Sequence, residues 1–367
     1  MKKSIYAIIA TLPLLFATSC NKNEDDAVNN ESLSVAINGT CLMVNMGNYS
    51  ESNGSICKMQ YAQPIDQNLF KKANGYPLRS IIESATITDK YILLMCGNED
   101  KVEILDKQSF KEVCTAITGI GLPRYATIVN GFAYVTCVNP SWTDSVGHIA
   151  KIDLSSKKVT TKIKVKGNPE GITHSGDQVY AASANGIYQI DTKNDKTVNF
   201  IELDSKTSTA RYFVTDADGD LWLSYSSYDA KGNGVNCGIA EYTPGQTKFN
   251  KNIALEKMNG DAYIDVTPDK QTLYYMYSSE IVGGQNPEAE TRIYAVDLTN
   301  GEVKNNATCS GYGFYGFNVD PKTGNIFTAN VNGFITNSMI SIYSPTGHLL
   351  QDGLMAGVGT CRFYFYQ

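Results

Sequence analysis

Short segments in which apolar and polar residues alternate recur along the chain after residue 34. Such alternation is typical of half-buried strands, because successive side chains of a strand point to opposite faces. The segments lie about 40 to 55 residues apart, which is the spacing of one four-stranded propeller blade per repeat. Seven segments share this form and end in an acid or a tyrosine: SICKMQY (55–61), KVEILD (101–106), HIAKID (148–153), GIYQID (186–191), GIAEY (238–242), RIYAVD (292–297) and MISIY (339–343).

A second pattern precedes most of these segments and consists of two apolar strands joined by a tight turn. The turns contain Asn-Gly, Gly-Asp or Asp-x-Asp-Gly, which predicts β-hairpins. Together the two patterns predict an all-β fold: a single seven-bladed β-propeller of four-stranded antiparallel blades over residues 35–367. The hairpins are ATIVNGFAYV (126–135), ITHSGDQVYA (172–181), FVTDADGDLWL (213–223), DVTPDKQTLYYM (265–276) and FNVDPKTGNIFTA (317–329).

The two ends of this region complement each other. The chain finishes in CRFYFY (361–366), an innermost strand without its neighbours. The region begins with SVAINGTCLMVN (34–45), a second strand without an inner one. We expect the N- and C-terminal strands to pair and complete one blade, which closes the ring and removes exposed sheet edges.

The first residues have the layout of a secretory signal peptide. Lys2 and Lys3 precede an apolar stretch over residues 5–17, and small residues lead up to Cys20. The stretch is shorter than the roughly 20 apolar residues that a membrane-spanning helix needs. We therefore divide the chain into a signal peptide (1–19), a polar, acidic tether that we expect to be flexible (20–34) and the propeller domain (35–367).

The segments before and after Cys20 each resemble a known motif. The small residues before it resemble the lipobox of bacterial lipoproteins, which implies cleavage before Cys20 and lipidation of its thiol. The acidic segment after it resembles the export signal of surface lipoproteins of Bacteroidota. Together they imply a protein held in the outer membrane by its lipid anchor alone and exposed at the cell surface. A plain secretory signal and a lipoprotein that faces the periplasm are the alternatives.

The charge and the cysteines of the chain exclude some classes of function. With 31 Lys and Arg against 37 Asp and Glu, the formal net charge is −6, so no basic surplus is present to bind nucleic acid. The eight cysteines other than Cys20 show no metal-ligand spacing and mostly lie in apolar runs. They either pack in the core or form one or two disulfides.

The sequence contains no convincing catalytic motif. GYGFYG (311–316) matches a dinucleotide-binding pattern but opens an antiparallel blade, and DADGD (216–220) lacks the distal Glu of a calcium loop. Among the three histidines, His148 lies at a loop-to-strand junction and could coordinate a metal ion, although a structural role is the simpler interpretation. We expect no bound metal, no cofactor and no enzymatic activity.

Alignment of the hairpins from their turns places polar or aromatic residues at the start of every innermost strand. Because innermost strands line the propeller axis, we expect these side chains, with Tyr125 and Tyr212, to ring one mouth of the central channel. Three of the five arginines of the chain occupy this position. Inter-blade ion pairs that hold the ring together are the alternative role. The seven positions are Glu83, Arg124, Glu170, Arg211, Tyr263, Tyr315 and Arg362.

Long polar loops are predicted to surround the same mouth, because they join the second and third strands of their blades. Four of them contribute the aromatic residues Tyr49, Trp142, Tyr228 and Phe334. Aromatic loops above a ring of Arg, Glu and Tyr form a surface that suits a flat, partly apolar ligand with amide or anionic groups. We therefore predict that a ligand binds to the ring residues other than Glu83, to Tyr125 and Tyr212, and to Tyr49, Trp142 and Tyr228.

Several stretches resemble one known group of proteins. PRYATIVNGFAYVTC (123–137), GNPEGITHSGDQVYAAS (167–183) and the terminal CRFYFY are similar to YncE-like propellers of gut Bacteroidota. With NMGNYSESNGSICKMQY (45–61) and the lipobox, they resemble the surface lipoproteins that capture vitamin B12 for a TonB-dependent outer-membrane transporter. The resemblance implies non-enzymatic binding of cobalamin, carried as cargo, and association with the transporter. A ferric siderophore or glycan as cargo, and a propeller hydrolase or lyase, are the alternatives.

Overall fold

The computed structural model describes residues 39–60, 64–141, 146–204, 208–228, 234–280 and 284–367. One short helix, α1 (Leu69–Asn74), and a 3-10 turn (Asn332–Phe334) occur among the strands of these residues. The strands of the first half are β1 (Thr40–Asn45), β2 (Ser55–Gln60), β3 (Ile82–Ile87), β4 (Tyr91–Cys96), β5 (Lys101–Asp106), β6 (Ile117–Thr118), β7 (Leu122–Val129), β8 (Phe132–Val138), β9 (Val146–Asp153), β10 (Lys158–Lys166), β11 (Ile172–Ser175), β12 (Gln178–Ser183), β13 (Gly186–Asp191) and β14 (Lys196–Glu202).

The second half continues the same pattern of short strands. Its strands are β15 (Thr209–Thr215), β16 (Leu221–Tyr228), β17 (Gly234–Tyr242), β18 (Lys251–Ala254), β19 (Ile264–Val266), β20 (Thr272–Ser278), β21 (Glu290–Asp297), β22 (Glu302–Val303), β23 (Cys309–Tyr312), β24 (Phe314–Val319), β25 (Ile326–Asn330), β26 (Asn337–Tyr343), β27 (Leu349–Val358) and β28 (Thr360–Tyr366). No helix in the described part of the chain is long and apolar enough to cross a membrane.

The strands form seven antiparallel sheets, which confirms the predicted seven-bladed β-propeller. Blade 1 contains β28, β1 and β2, and blades 2 to 5 contain β3–β6, β7–β10, β11–β14 and β15–β18. Blade 6 contains β19–β23, with β22 and β23 both pairing with β21, and blade 7 contains β24–β27. The first strand of each blade contacts the first strand of the next, and β28 returns to β3, so these innermost strands enclose the axis.

The two ends of the propeller pair as predicted. Thr40 of β1 lies opposite Tyr366 of β28, and the pairing continues to Asn45, which lies opposite Thr360. The closing blade has three strands, not four, in the described residues, and a bridge between Lys58 and Asp66 stands at the position of the fourth strand. Ring closure thus joins the first and last strands of the described residues within one sheet.

Burial follows the position of each strand in its blade. The second strand β4 is buried along nearly its whole length because blades pack on both of its faces, and Trp222 of β16 is fully buried. The outermost strand β10 alternates between exposed and covered residues, as its Lys-Ile-Lys-Val-Lys sequence (162–166) requires. Seven of the eight described cysteines are buried, Cys114 is half-buried, and none of the eight is in a disulfide. These thiols act as small apolar core residues.

The two faces of the propeller differ in their connections. Innermost strands start at one face, which we call the loop face, and the loops 47–54, 97–100 and 331–336 lie there. They end at the opposite face, the turn face, where short hairpin turns join them to the second strands. At the turn of blade 3, Asn130 and Gly131 have φ values of 50° and 81°, the left-handed pair that a two-residue hairpin favours.

Candidate functional site

Inter-blade contacts bring the predicted ring residues together at the loop-face end of the axis. The innermost strands approach so closely that a Cβ atom on Gly171 would lie 2.5 Å from the carbonyl oxygen of Arg211. We call these side chains the axial ring. It consists of the seven predicted residues together with Tyr125 and Tyr212. Ion pairs join Glu83, Arg124 and Glu170, and hydrogen bonds and ring contacts join Tyr125, Tyr212, Tyr263, Tyr315 and Arg362.

Arg124 of blade 3 connects three blades by ion pairs. Its Nε atom lies 3.0 Å from Oε2 of Glu170, and its Nη1 atom contacts Oε1 of Glu83. The side chains of all three residues are largely buried, with Glu83 only 4% exposed. Burial disfavours the charge of Arg124, but Glu170 and Glu83 raise its pKa well above the usual value. The alternative role, an inter-blade ion-pair network, therefore applies to Arg124.

Arg362 of blade 1 is held mainly by aromatic rings. Its guanidinium carbon lies 3.6 Å from the ring centroid of Tyr263 and 5.2 Å from that of Tyr212. Its Nη2 atom donates a 2.8 Å hydrogen bond to the hydroxyl of Tyr125. Burial raises the pKa of each of these three phenols, so they stay neutral and present π faces to the cation.

The remaining ring residues make local contacts. Tyr263 donates a 3.2 Å hydrogen bond to the hydroxyl of Tyr315. Arg211 donates from Nε to Oγ of Ser226 in its own blade, at 3.2 Å. The axial ring is thus a densely packed layer in which Arg362, at 8% exposure, is nearly covered. A large ligand can reach only its outer edge.

A cavity opens at that outer edge between blades 1, 2 and 3. This loop-face cavity has a volume of 240 Å³, and Tyr49, Glu83 and Arg124 line it. Tyr49 is 64% exposed, and its hydroxyl lies 3.4 Å from Oε1 of Glu83. Burial raises the pKa of Glu83 in spite of the opposing effect of Arg124. The cavity therefore combines an exposed aromatic side chain with charged groups. Gly97, Asn98 and Leu122 complete its lining.

The loops of blades 1 and 7 meet beside this cavity. Nδ2 of Asn48 donates a 3.0 Å hydrogen bond to the backbone oxygen of Phe334, and the ring of Phe334 packs on Tyr315 with centroids 5.0 Å apart. The next residue, Ile335, is 77% exposed. Asn98 and Ile335 were not among the residues predicted from the sequence. Only their positions in loops between second and third strands indicated that they lie at the loop face.

A second cavity of 240 Å³ lies along the axis. The axial ring residues Tyr125, Tyr212 and Arg362 line it, as does Asp265 of β19. Oδ2 of Asp265 accepts hydrogen bonds from Asn318 Nδ2 and from the backbone N–H of Val319, and burial raises the pKa of this carboxyl group. These hydrogen bonds fasten blade 6 to blade 7, so we assign Asp265 a structural role.

Three predicted residues cannot be placed. Cys20 and Trp142 lie outside the described residues, and the side chain of Tyr228 is likewise outside the described part. The roles predicted for them remain predictions.

Two further places hold side chains of types that can bind a metal ion. Within the described residues, one group of three acids brings carboxylate oxygens within 4.8 Å of one another: Asp216, Asp220 and Glu241. Both oxygens of Asp216 already accept hydrogen bonds, from two backbone N–H groups and from Trp222, as expected of a hairpin turn. Among the described residues, which do not include positions 142–145, the Nε2 atom of His148 has no hydrogen-bond partner. Because this atom is buried, it does not suit coordination of a large external ligand.

These features define a seven-bladed β-propeller with a packed axial ring and a cavity at the edge of its loop face. A family model described as "Domain of unknown function (DUF5074)" matches residues 38–353, and the chain belongs to this family. No curated protein matches the chain.

Several solved structures share the fold. A 6-phosphogluconolactonase candidate from Bacteroides fragilis is 14% identical, with a TM-score of 0.64 over 92% of this chain and 100% of that one. A quinonprotein alcohol dehydrogenase-like protein from Bacteroides thetaiotaomicron is 15% identical, with a TM-score of 0.60 over 88% and 77%. A functionally unknown protein from Desulfotomaculum acetoxidans is 12% identical, with a TM-score of 0.60 over 89% and 98%. At these identities the likeness shows the fold alone.

Proposed function

We propose that this protein is a cell-surface lipoprotein that binds cobalamin or a related corrinoid at its loop face and delivers it to a TonB-dependent outer-membrane transporter. The observation that carries the proposal is the loop-face cavity, where the exposed Tyr49 stands beside the buried pair of Glu83 and Arg124. The resemblance of the sequence to vitamin B12-capturing lipoproteins supports the choice of cargo.

The chemistry of a corrinoid suits this surface. Its flat ring is partly apolar and carries amide groups, so an exposed aromatic or aliphatic side chain can cover the ring while polar groups bind the amides. Tyr49 and Ile335 supply exposed apolar area, and Asn98 and Glu83 supply polar atoms at the cavity. Because the cavity holds only 240 Å³, the ligand lies across the face with one substituent inserted.

Binding is tested by calorimetric titration of the purified protein with cyanocobalamin. We expect saturable binding at micromolar concentrations or below, and Ile335→Ala should weaken it about fivefold to a hundredfold through loss of contact area. Leu349→Ala is the matched control, because Leu349 is 53% exposed and lies at the turn-face end of β27. An absence of binding by the wild-type protein contradicts the choice of cargo.

Two alternatives to corrinoid binding can be tested on the same purified protein. A ferric siderophore or a glycan as cargo predicts binding of that compound and not of cyanocobalamin, so a ligand panel separates the candidates. The lactonase name of one structural neighbour is the reason to assay hydrolysis of 6-phosphogluconolactone. The proposed non-enzymatic role predicts no rate above the uncatalysed one and no stoichiometric metal in the purified protein.

The anchor is tested separately from the cargo. Cys20→Ala should release the protein from the membrane fraction of the cells, because the acyl chains provide the only proposed attachment. Persistence of the variant in that fraction contradicts a lipid anchor. Shaving of intact cells with protease then distinguishes surface exposure, which we propose, from an anchor that faces the periplasm.

A further inference from the structure

A separate cavity of 190 Å³ lies between β2 and the segment that leads from blade 1 to blade 2. We call it the interblade cavity. Asn53 and Asn68 line it, together with Lys71 of α1 and Arg79. It shares no lining residue with the loop-face cavity. Its ligand can therefore be tested independently of the proposed cargo.

Two exposed cationic side chains, Lys71 and Arg79, stand at the interblade cavity. Among the described residues, neither forms an ion pair. Asp66 is paired with Lys72 at 2.6 Å and Glu103 with Lys101 at 3.0 Å, and Oε2 of Glu51 accepts a 2.7 Å hydrogen bond from Nδ2 of Asn53. A site with two free cations in a chain of net charge −6 favours an anionic ligand.

The walls of the interblade cavity are held in place. The backbone N–H of Gly54 donates a 2.8 Å hydrogen bond to the carbonyl oxygen of Ser80, which ties the loop of blade 1 to the segment before β3. On the opposite side, Lys101 donates from Nζ to the backbone oxygen of Leu78 at 3.1 Å. Leu78 and Phe70 are buried and give the cavity an apolar wall. The site is thus preformed, with one charged side and one apolar side.

The backbone at Arg79 adds a further observation. Its φ value of 53° lies in the left-handed region, which is unfavourable for a residue with a long side chain. Glycine or asparagine would adopt this conformation at lower cost. The side chain of Arg79 is exposed there, so its guanidinium group is accessible to a ligand.

We propose that the interblade cavity binds the phosphoryl group of a small organic phosphate. A phosphate monoester carries a charge of about −1.5 to −2 at neutral pH, which matches two unpaired cations better than a single carboxylate does. The planar guanidinium of Arg79 suits two oxygens of the group, and Lys71 supplies a point charge. The carbon skeleton of the ligand would lie against Phe70 and Leu78.

The test is a titration of the purified full-length protein with phenyl phosphate, followed by calorimetry and by phosphorus NMR. We expect saturable binding, weaker binding of benzoate, and affinity for phenyl phosphate reduced about tenfold or more in Arg79→Asn and in Lys71→Ala. Asparagine tolerates the left-handed conformation, so Arg79→Asn should fold. Lys164→Ala removes an exposed lysine from β10 of blade 3 and should bind as the wild type does.

Three results would overturn the proposal. The first is no saturation of the wild-type protein at millimolar phenyl phosphate. The second is equal affinity in both variants and the wild type. The third is a loss of affinity in Lys164→Ala as large as in the two variants, which would indicate general attraction of anions. Thermal unfolding of each variant shows whether it is folded. Lys71 is an exposed residue of α1, so Lys71→Ala remains informative if Arg79→Asn does not fold.

Discussion

The guanidinium carbon of Arg362 lies 3.6 Å from the ring centroid of Tyr263, and this contact joins the last strand of the chain to blade 6. Blade 7 lies between the two blades in the ring, so the contact reaches past a neighbouring blade at the axis. The same guanidinium group donates a hydrogen bond to Tyr125 of blade 3. Arg362 therefore complements the strand pairing of β1 and β28 in closing the propeller.

Removal of this side chain should destabilise the fold. We expect Arg362→Ala to lower the free energy of unfolding by about 2 to 4 kcal/mol, because it leaves a buried cavity and an unpaired Tyr125 hydroxyl. Arg362→Lys should recover only part of the loss, since an ammonium group lacks the planar face that stacks on Tyr263. Urea unfolding of both variants measures the difference. Full recovery by lysine would contradict the stacking role.

Arg124→Ala should be more damaging than removal of a surface arginine. The substitution leaves the buried carboxylates of Glu83 and Glu170 without their cation, which costs about 3 to 5 kcal/mol in comparable buried pairs. Arg292→Ala is the matched control, because Arg292 pairs with Glu290 at the surface, where such pairs contribute about 0 to 1 kcal/mol. If Arg124→Ala and Arg292→Ala lose equal stability in urea, the ion pairs of Arg124 do not join the blades.

Glu83 should make the stability of the propeller depend on pH. Burial raises its pKa above the ordinary carboxyl value of about 4.3, so over the pH range between these two values the folded state binds more protons than the unfolded state. The contribution of Glu83 is therefore complete at low pH and decreases as the pH rises through its pKa in the folded state. Unfolding midpoints of the wild type and Glu83→Gln from pH 4 to pH 7 measure this contribution.

We expect the unfolding midpoint of the wild type minus that of Glu83→Gln to fall as the pH rises. Glu51→Gln, at an exposed position of the loop 47–54, should follow the wild type at every pH. A difference that stays constant or grows would show that the pKa of Glu83 is not raised by folding.

Asp216 should stabilise the hairpin of blade 5. Its Oδ1 atom accepts the backbone N–H groups of Asp218 and Asp220, and its Oδ2 atom accepts Nε1 of the buried Trp222 at 2.8 Å. Asp216→Ala leaves these donors unsatisfied and should lower the free energy of unfolding by about 1 to 3 kcal/mol. Asp218→Ala, in the same turn, should change it by less than about 0.5 kcal/mol. Similar changes in the free energy of unfolding for Asp216→Ala and Asp218→Ala would favour a different role for Asp216, such as binding a cation.

The repeat of alternating segments was sufficient to predict the blades, because each second or third strand has to bury one or both faces against its neighbours. The register of the hairpins also predicted which side chains start the innermost strands, and Arg124 and Arg362 do meet other ring residues there. The partners of these arginines depend on the order of blades around the axis. Two carboxylates for one arginine and three phenols for the other could not be obtained from spacing.

Loop residues were harder to predict than strand residues. Asn98 lines the loop-face cavity from the short connection between β4 and β5. This connection carries no aromatic residue, so only its position between a second and a third strand indicated the site. Arg79 was visible as one of five arginines, but its lack of an acidic partner depends on where Asp66 and Glu103 lie in space. Charge balance within a cavity is a property of the folded chain.

The central claim is that a corrinoid binds across the loop face, and hydrogen exchange with and without cyanocobalamin tests it most directly. The account predicts slower exchange of backbone amides in the loops 47–54, 97–100 and 331–336, with unchanged exchange in the turns 130–131 and 216–220 of the turn face. Protection confined to the turn face, or no protection at a saturating concentration of the ligand, would contradict it.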